Sequence, residues 1–282
     1  MPKINMGEDF KSPVVTVIGT CRVHHTLRAI EKKGLIQLNN GGLGTFVHST
    51  PEILFRLKVL LGMETYQEDL IKLQAGELEE TKLKSDEEFD FTNTDILVIE
   101  LSSIKAMSFQ NNPLQLNEVK RHMCTPYGDF GKILRANIRS TFNGRKEFID
   151  LPDIEIPKSF PPDYLEIINK LKLNILSEQQ IFSDLNQISS LVKIPILLVN
   201  HINLPKEGGE LIISRNKLCE MVNKFSKLEN IPVFNPVEMF KKYKREELLM
   251  KEGKDLNHYA KNKLLVVGNE QLFHINSVIS DL

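Results

Sequence analysis

Near-continuous aliphatic runs constrain this chain more than any other feature. They are Val14 to Ile18 (VVTVI), Asp95 to Leu101 (DILVIEL) and Ile194 to Val199 (IPILLV), and each gives way at once to small or polar residues. None alternates apolar with polar residues, as a strand with one wet face would. A run without alternation is buried on both faces, which is the signature of a parallel strand covered by helices on either side. The shorter segments Leu35 to Leu38 (LIQL) and Ile231 to Phe234 (IPVF) bring the expected sheet to about five strands.

The intervening segments carry helical signals. His25 to Lys33 stops at Gly34. Ser49 or Thr50 precedes Pro51 and then Ile53, Leu54, Leu57, Leu60 and Leu61 at helical spacing, ending around Gly62. Asp163 to Val192 is long enough for one broken helix or two, Ser214 is a candidate cap for a helix to about Leu228, and a helix is expected near the end. Strands alternating with helices predict an α/β fold, a three-layer α/β/α sandwich with a mostly parallel, flavodoxin-like sheet. Residues 1–282 are expected to form a single domain, with a helical insertion or cap at about 128–162, where Pro152, Pro157, Pro161 and Pro162 mark irregular structure. Gln110 to Tyr127 suggests a loop and then a helix from about Leu114, and the acidic, lysine-rich stretch Met63 to Asp90 an exposed helix and a solvated connection.

With 41% hydrophobic and 26% charged residues and a formal net charge of −1, the composition is that of an ordinary globular protein. Nothing in it suggests a nucleic-acid partner. No apolar run reaches the ~18 residues of a membrane span, and the opening MPKINMGEDF lacks the basic-then-apolar order of a signal peptide. Cys21, Cys124 and Cys219 fit neither a disulfide framework nor a zinc spacing. The expectation is a cytoplasmic protein without a metal.

Chemistry is expected where the strands end, because in an open α/β sheet ligands occupy the crevice at the carboxyl ends of the strands. Cys21 and Arg22 fall there, just past Gly19. A helix N-terminus and the Arg22 guanidinium would both favour the thiolate of Cys21, whereas the plain alternative is a small buried cysteine. Near the other end of the chain, Asp255 and His258 stand three apart in a D-x-x-H pattern. That spacing lets a carboxylate hold one imidazole nitrogen while the other faces a nucleophile; the plain alternative is a loop aspartate acting as a cap. Ser102 follows the second aliphatic run, and Asn200 and His201 follow the third. Gly41, Gly42 and Gly44 form a loop whose backbone N–H groups can face an anion, although it is not a phosphate-binding pattern.

Gly19-Thr20-Cys21 together with Asp255-Leu256-Asn257-His258 resembles the SGNH/GDSL hydrolase superfamily, in the variants that carry cysteine at the nucleophile position. Glu100-Leu101-Ser102-Ser103 stands where that superfamily has a Gly-x-Asn-Asp block. The resemblance implies Cys21 as nucleophile, His258 as proton shuttle and Asp255 as its orienting group. It also implies backbone N–H groups of Cys21 and Gly44 at the oxyanion, with Ser102 as a substitute donor and Arg22, Asn200 and His201 around the substrate. The implied activity is ester or thioester hydrolysis by acyl transfer. One alternative is an O-acyltransferase that modifies a polysaccharide or other glycan, with acyl-CoA as donor and no other cofactor. Another is a non-catalytic binding protein on the same fold. The implied partner is a small-molecule or glycan ester.

Overall fold

The structure is a computed structural model that describes residues 12–39, 46–76, 91–143, 149 and 155–280. In chain order its strands and α-helices are β1 (Val14–Ile18), α1 (Cys21–Glu31), β2 (Gln37–Leu38), α2 (Thr50–Leu60), α3 (Ile71–Ala75), β3 (Ile96–Glu100), β4 (Lys105–Phe109), β5 (Asn112–Leu114), α4 (Leu116–Val119), α5 (Gly128–Phe142), α6 (Pro162–Lys170), β6 (Lys172–Ile175), α7 (Glu178–Leu191), β7 (Ile196–Val199), α8 (Ile213–Glu229), β8 (Val233–Phe234), α9 (Arg245–Leu248) and α10 (Leu264–Ser280).

The aliphatic runs become β1, β3 and β7, the middle of a five-stranded parallel sheet of order β2-β1-β3-β7-β8. That is the flavodoxin-like order expected. Every residue of the three central strands is buried. Their side chains divide by parity. Ile18, Leu97, Ile99 and Leu198 face Ile53, Leu57, Leu185 and Phe225 of α2, α7 and α8. Val15, Val17, Val98 and Leu197 face Leu27 and Ile30 of α1 and Val267 and Ile275 of α10. Each such side chain contributes about 1.5–3 kcal/mol by leaving water, which explains why the runs carry so little polarity.

Helices α1 and α10 lie unusually close. A Cβ on Gly268 would meet the Thr26 carbonyl oxygen at 2.6 Å, and the Thr26 hydroxyl meets the Gln271 side-chain oxygen at 2.6 Å. The helix that begins at Cys21 is therefore backed along its length by the last helix.

Several expectations are corrected. The loop expected from Gln110 is a hairpin: β4 pairs with β5 and β6 in an antiparallel three-stranded sheet. Gln110 and Asn111 have φ of 49° and 68°, the two left-handed residues of a type I′ turn. No glycine marks that turn, and β5 is three residues long with Pro113 in its middle, so neither gave a strand signal. Met107, Phe109 and Leu114 of this sheet pack on Phe130, Leu134 and Ile138 of α5 in a separate apolar cluster. Residues 128–142 of the segment expected as a helical insertion or cap form a regular helix. Asp163 to Val192 contains α6 and α7 with β6 between them. The N-cap of α8 is Ile212, not Ser214, and α1 starts at Cys21, not at His25. Gly44 lies outside the described residues. No described helix is long and apolar enough to cross a membrane.

Candidate active site

β1 delivers Gly19 and Thr20 to the carboxyl edge of the sheet, and α1 begins at the next residue. Gly19 is required for close approach, because a Cβ there would meet the Glu100 Cβ at 2.7 Å. Thr20 is the N-cap; its Oγ1 accepts from the Arg22 N–H at 3.4 Å. Glu100, at the end of β3 and only 1% exposed, holds this turn. Its carboxylate accepts from the Thr20 N–H at 3.0 Å, from the Thr20 hydroxyl, and from Arg22 Nε at 2.5 Å. A buried carboxylate is tolerated only when it is paired and hydrogen-bonded, and this one is both.

Cys21 is half-buried at the head of α1. Burial pushes its thiol above the usual value, and the Glu100 charge adds to that. The Arg22 charge and the backbone N–H groups of Cys21 and Arg22 oppose the rise without cancelling it. The expected favouring of the thiolate is thereby corrected: desolvation outweighs the helix N-terminus, and the resting group is a thiol.

Asp255 and His258 sit in a loop closed by the bridge between Leu249 and Tyr259 and by the Met250 N–H donating to the His258 carbonyl at 3.0 Å. Asp255 Oδ2 lies 2.9 Å from His258 Nδ1, and Asp255 Oδ1 accepts from the Asn257 N–H at 2.8 Å. Burial works against ionisation of Asp255, but these bonds and the Lys251 charge prevail and hold its carboxyl below the usual range. A carboxylate on Nδ1 selects the tautomer with its proton there, so Nε2 keeps its lone pair.

Both loops border one cavity of about 500 Å³, whose lining includes Cys21, Arg22, Ser102, His201 and His258. The sequence separated these residues by up to 237 positions (258 − 21), and the carboxyl edge of the sheet brings them together. No hydrogen bond joins the Cys21 sulfur to His258 among the described residues. Asp255 stands behind His258 and is not itself in the lining, and Asn200 turns away from the cavity. Its amide donates to Asn223 Oδ1 at 2.8 Å, within the interior, and it does not line the cavity.

His201 is neutral: burial first, then the Arg22 and Arg215 charges, hold it well below its usual value. Its Nε2 accepts from Arg22 Nη1 at 2.9 Å and its Nδ1 donates to the Ile202 carbonyl at 3.0 Å. Ser102 is paired with His48 Nδ1 at 2.9 Å, while His48 Nε2 meets the Asn117 amide at 2.8 Å. His48 is pushed down to about 4 by burial and by Arg22.

Sequence reasoning missed Glu100 and Arg215. Arg215, on α8, donates from Nη1 to the carbonyls of Ile202 and Leu256 and from Nη2 to Asn257 Oδ1, so it ties the loop after β7 to the D-x-x-H loop. A carboxylate closing the apolar run of β3 was a usable signal for Glu100; a lone arginine within α8 was not a signal for Arg215. Arg22 Nη2 and Arg215 Nε are buried with no hydrogen-bond partner. Both residues line the cavity, and their guanidinium charges suit it to an anion or a developing oxyanion.

The family model described as the TviD N-terminal domain matches residues 13–272. The chain belongs to the TviD N-terminal domain family. The Vi polysaccharide biosynthesis protein TviD of Salmonella typhi is 24% identical over 257 residues, which cover 87% of this chain and 29% of that protein. The chain thus spans less than a third of that relative's length. Similar solved structures include a lipase/acylhydrolase from Enterococcus faecalis, 10% identical with a TM-score of 0.41, covering 94% of this chain and 96% of that one. An aryl esterase from M. smegmatis, in an inhibitor-bound form, is 8% identical with a TM-score of 0.40, covering 95% and 100%. In this TviD N-terminal domain, the match includes both the Gly19-Thr20-Cys21 turn and the Asp255–His258 loop.

Proposed function

We propose that this chain is an SGNH-like acyl-transfer enzyme that moves an acyl group onto a hydroxyl of a glycan. The observation that carries the reading is the Asp255–His258 pair, with Nε2 left free, on the cavity that also holds Cys21 at the head of α1. Similarity to a polysaccharide biosynthesis protein supports a glycan acceptor.

His258 Nε2 takes the Cys21 proton as the sulfur attacks the acyl carbonyl. Because Cys21 is not pre-ionised, that proton transfer is required and not optional. The negative charge on the carbonyl oxygen faces the Cys21 N–H, with the Arg22 guanidinium in the cavity wall close by. Collapse breaks the bond to the leaving group, and the leaving group receives the proton from His258. The acceptor hydroxyl then gives its proton to His258 and attacks the acyl-cysteine. Release of the Cys21 sulfur returns the proton to it. A second reading is hydrolysis: His258 is 50% exposed, so water has access to the acyl-cysteine.

The test is intact-mass analysis of the full chain with acetyl-CoA, followed by addition of candidate glycans. The expected result is a single acetyl adduct on Cys21, absent in Cys21→Ala and discharged faster by glycan than by water. An unmodified chain, with neutral aryl ester turnover equal in the unaltered protein and Cys21→Ala, would overturn the reading.

A further inference from the structure

A second cleft, of about 480 Å³, opens beside the catalytic cavity and shares two of its walls, Lys105 and Lys120. Its other charged walls are Lys132, Arg135 and Arg139 of α5, and no acidic side chain lines it. The whole chain has a formal net charge of −1, so this concentration of cations is local. Lys132 has a partner, Asp129 at 2.7 Å. Lys105, Lys120, Arg135 and Arg139 have no ion pair among the described residues.

These cations act on one another. Lys120 is held below its usual value by burial first and then by Arg135, with smaller effects of Lys105 and Arg139; Lys105 is lowered by burial and then by Arg139. On α5, Lys132, Arg135 and Arg139 recur at i, i+3 and i+7, so they share one face over about 10 Å, and like charges at these spacings oppose the helix. A multivalent anion would relieve this repulsion. The remaining lining is apolar: Leu116, Ile138 and Phe142, with Lys105 Nζ 5.3 Å from the centre of the Phe142 ring. A cationic wall beside an apolar floor suits a ligand with several phosphates and an aromatic or methylene surface. An uncharged sugar chain has no use for the cations.

We infer that this cleft holds the phosphorylated nucleotide end of a coenzyme A-type thioester, so that the acyl end passes Lys105 and Lys120 into the cavity at Cys21. The inference rests on the acyl-transfer reading and supplies its donor site. Arginine pairs bidentately with phosphate, which makes Arg135 and Arg139 the strongest contacts. Neither touches the reacting atoms.

Calorimetric titration of coenzyme A into the full chain at low salt tests this. The expected result is binding that weakens as salt rises. Arg135→Ala/Arg139→Ala should weaken it at least about tenfold, as loss of charge-assisted hydrogen bonds requires. Arg135→Lys/Arg139→Lys keeps the charge but not the bidentate fork, so its affinity should lie between those of the unaltered chain and the alanine variant, and circular dichroism shows that both variants fold. The inference is overturned if the unaltered chain does not bind coenzyme A, if the alanine variant binds it equally well, or if oligogalacturonate is the anion whose binding the substitutions weaken. The titration needs no turnover, so its failure is distinct from the absence of an acetyl adduct or of ester turnover.

Discussion

The turn that presents Cys21 and the loop that presents His258 meet at one cavity but are held in different ways. Around Cys21, a carboxylate 1% exposed grips a guanidinium 8% exposed, and the pair also fixes Thr20. Around His258, the holding pair is 15% exposed at Asp255 and 50% at His258, and Lys251, Glu252 and Gly253 of the same loop adopt left-handed φ. Cys21 is placed by buried charge, whose removal affects the fold. His258 is placed by local hydrogen bonds at the surface, where a pair adds little stability. One half of the site is therefore coupled to stability, while the other is free to vary with function alone.

The largest effect should come from Glu100→Ala, which leaves Arg22 charged and buried without its carboxylate. Denaturant unfolding should show a loss of about 3–5 kcal/mol, together with loss of ester turnover. A change below about 1 kcal/mol would erase the contrast between the two loops. His258→Ala should lower turnover by ~10²–10⁴-fold while altering unfolding free energy by less than about 1 kcal/mol; matching stability losses in both loops would break the comparison from the other side. Gly19→Ala forces a methyl against the Glu100 Cβ and should cost about 1–3 kcal/mol in the same unfolding assay, sharpening the view that the Cys21 turn is close-packed. The smallest effect concerns protonation. Because burial raises the Cys21 thiol, its folded form favours the proton, and iodoacetamide labelling should climb only above the ~8.5 of a free thiol. Labelling that is complete by neutral pH would show that the Cys21 turn is as solvent-governed as the His258 loop.

The legibility of the chain follows the same division. β1, β3 and β7 could be read because strands buried on both faces have no freedom to include polar residues. Asp255 and His258 could be read because their interaction is local, three residues apart. The clamp on the Cys21 turn could not, since Glu100 meets Thr20 and Arg22 across 80 and 78 residues. The β4-β5-β6 sheet escaped because its strands are three to five residues long and its turn lacks glycine. Arg215 escaped because its role depends on carbonyls of two loops, which no side-chain pattern records. Asn200 misled because the residue after a central strand can turn inward as easily as toward the crevice.

The contact between α1 and α10 also sets a timetable. The helix that begins at Cys21 is made well before the surface that backs it, around Gly268 and Gln271. At about 5–20 residues per second, the 232 residues between Glu31 and Leu264 (263 − 31) take on the order of ten to fifty seconds to synthesise. Throughout that interval the apolar side of α1 has no partner helix. A nascent chain therefore carries Cys21 long before it can carry the Asp255–His258 loop or the helix that backs α1.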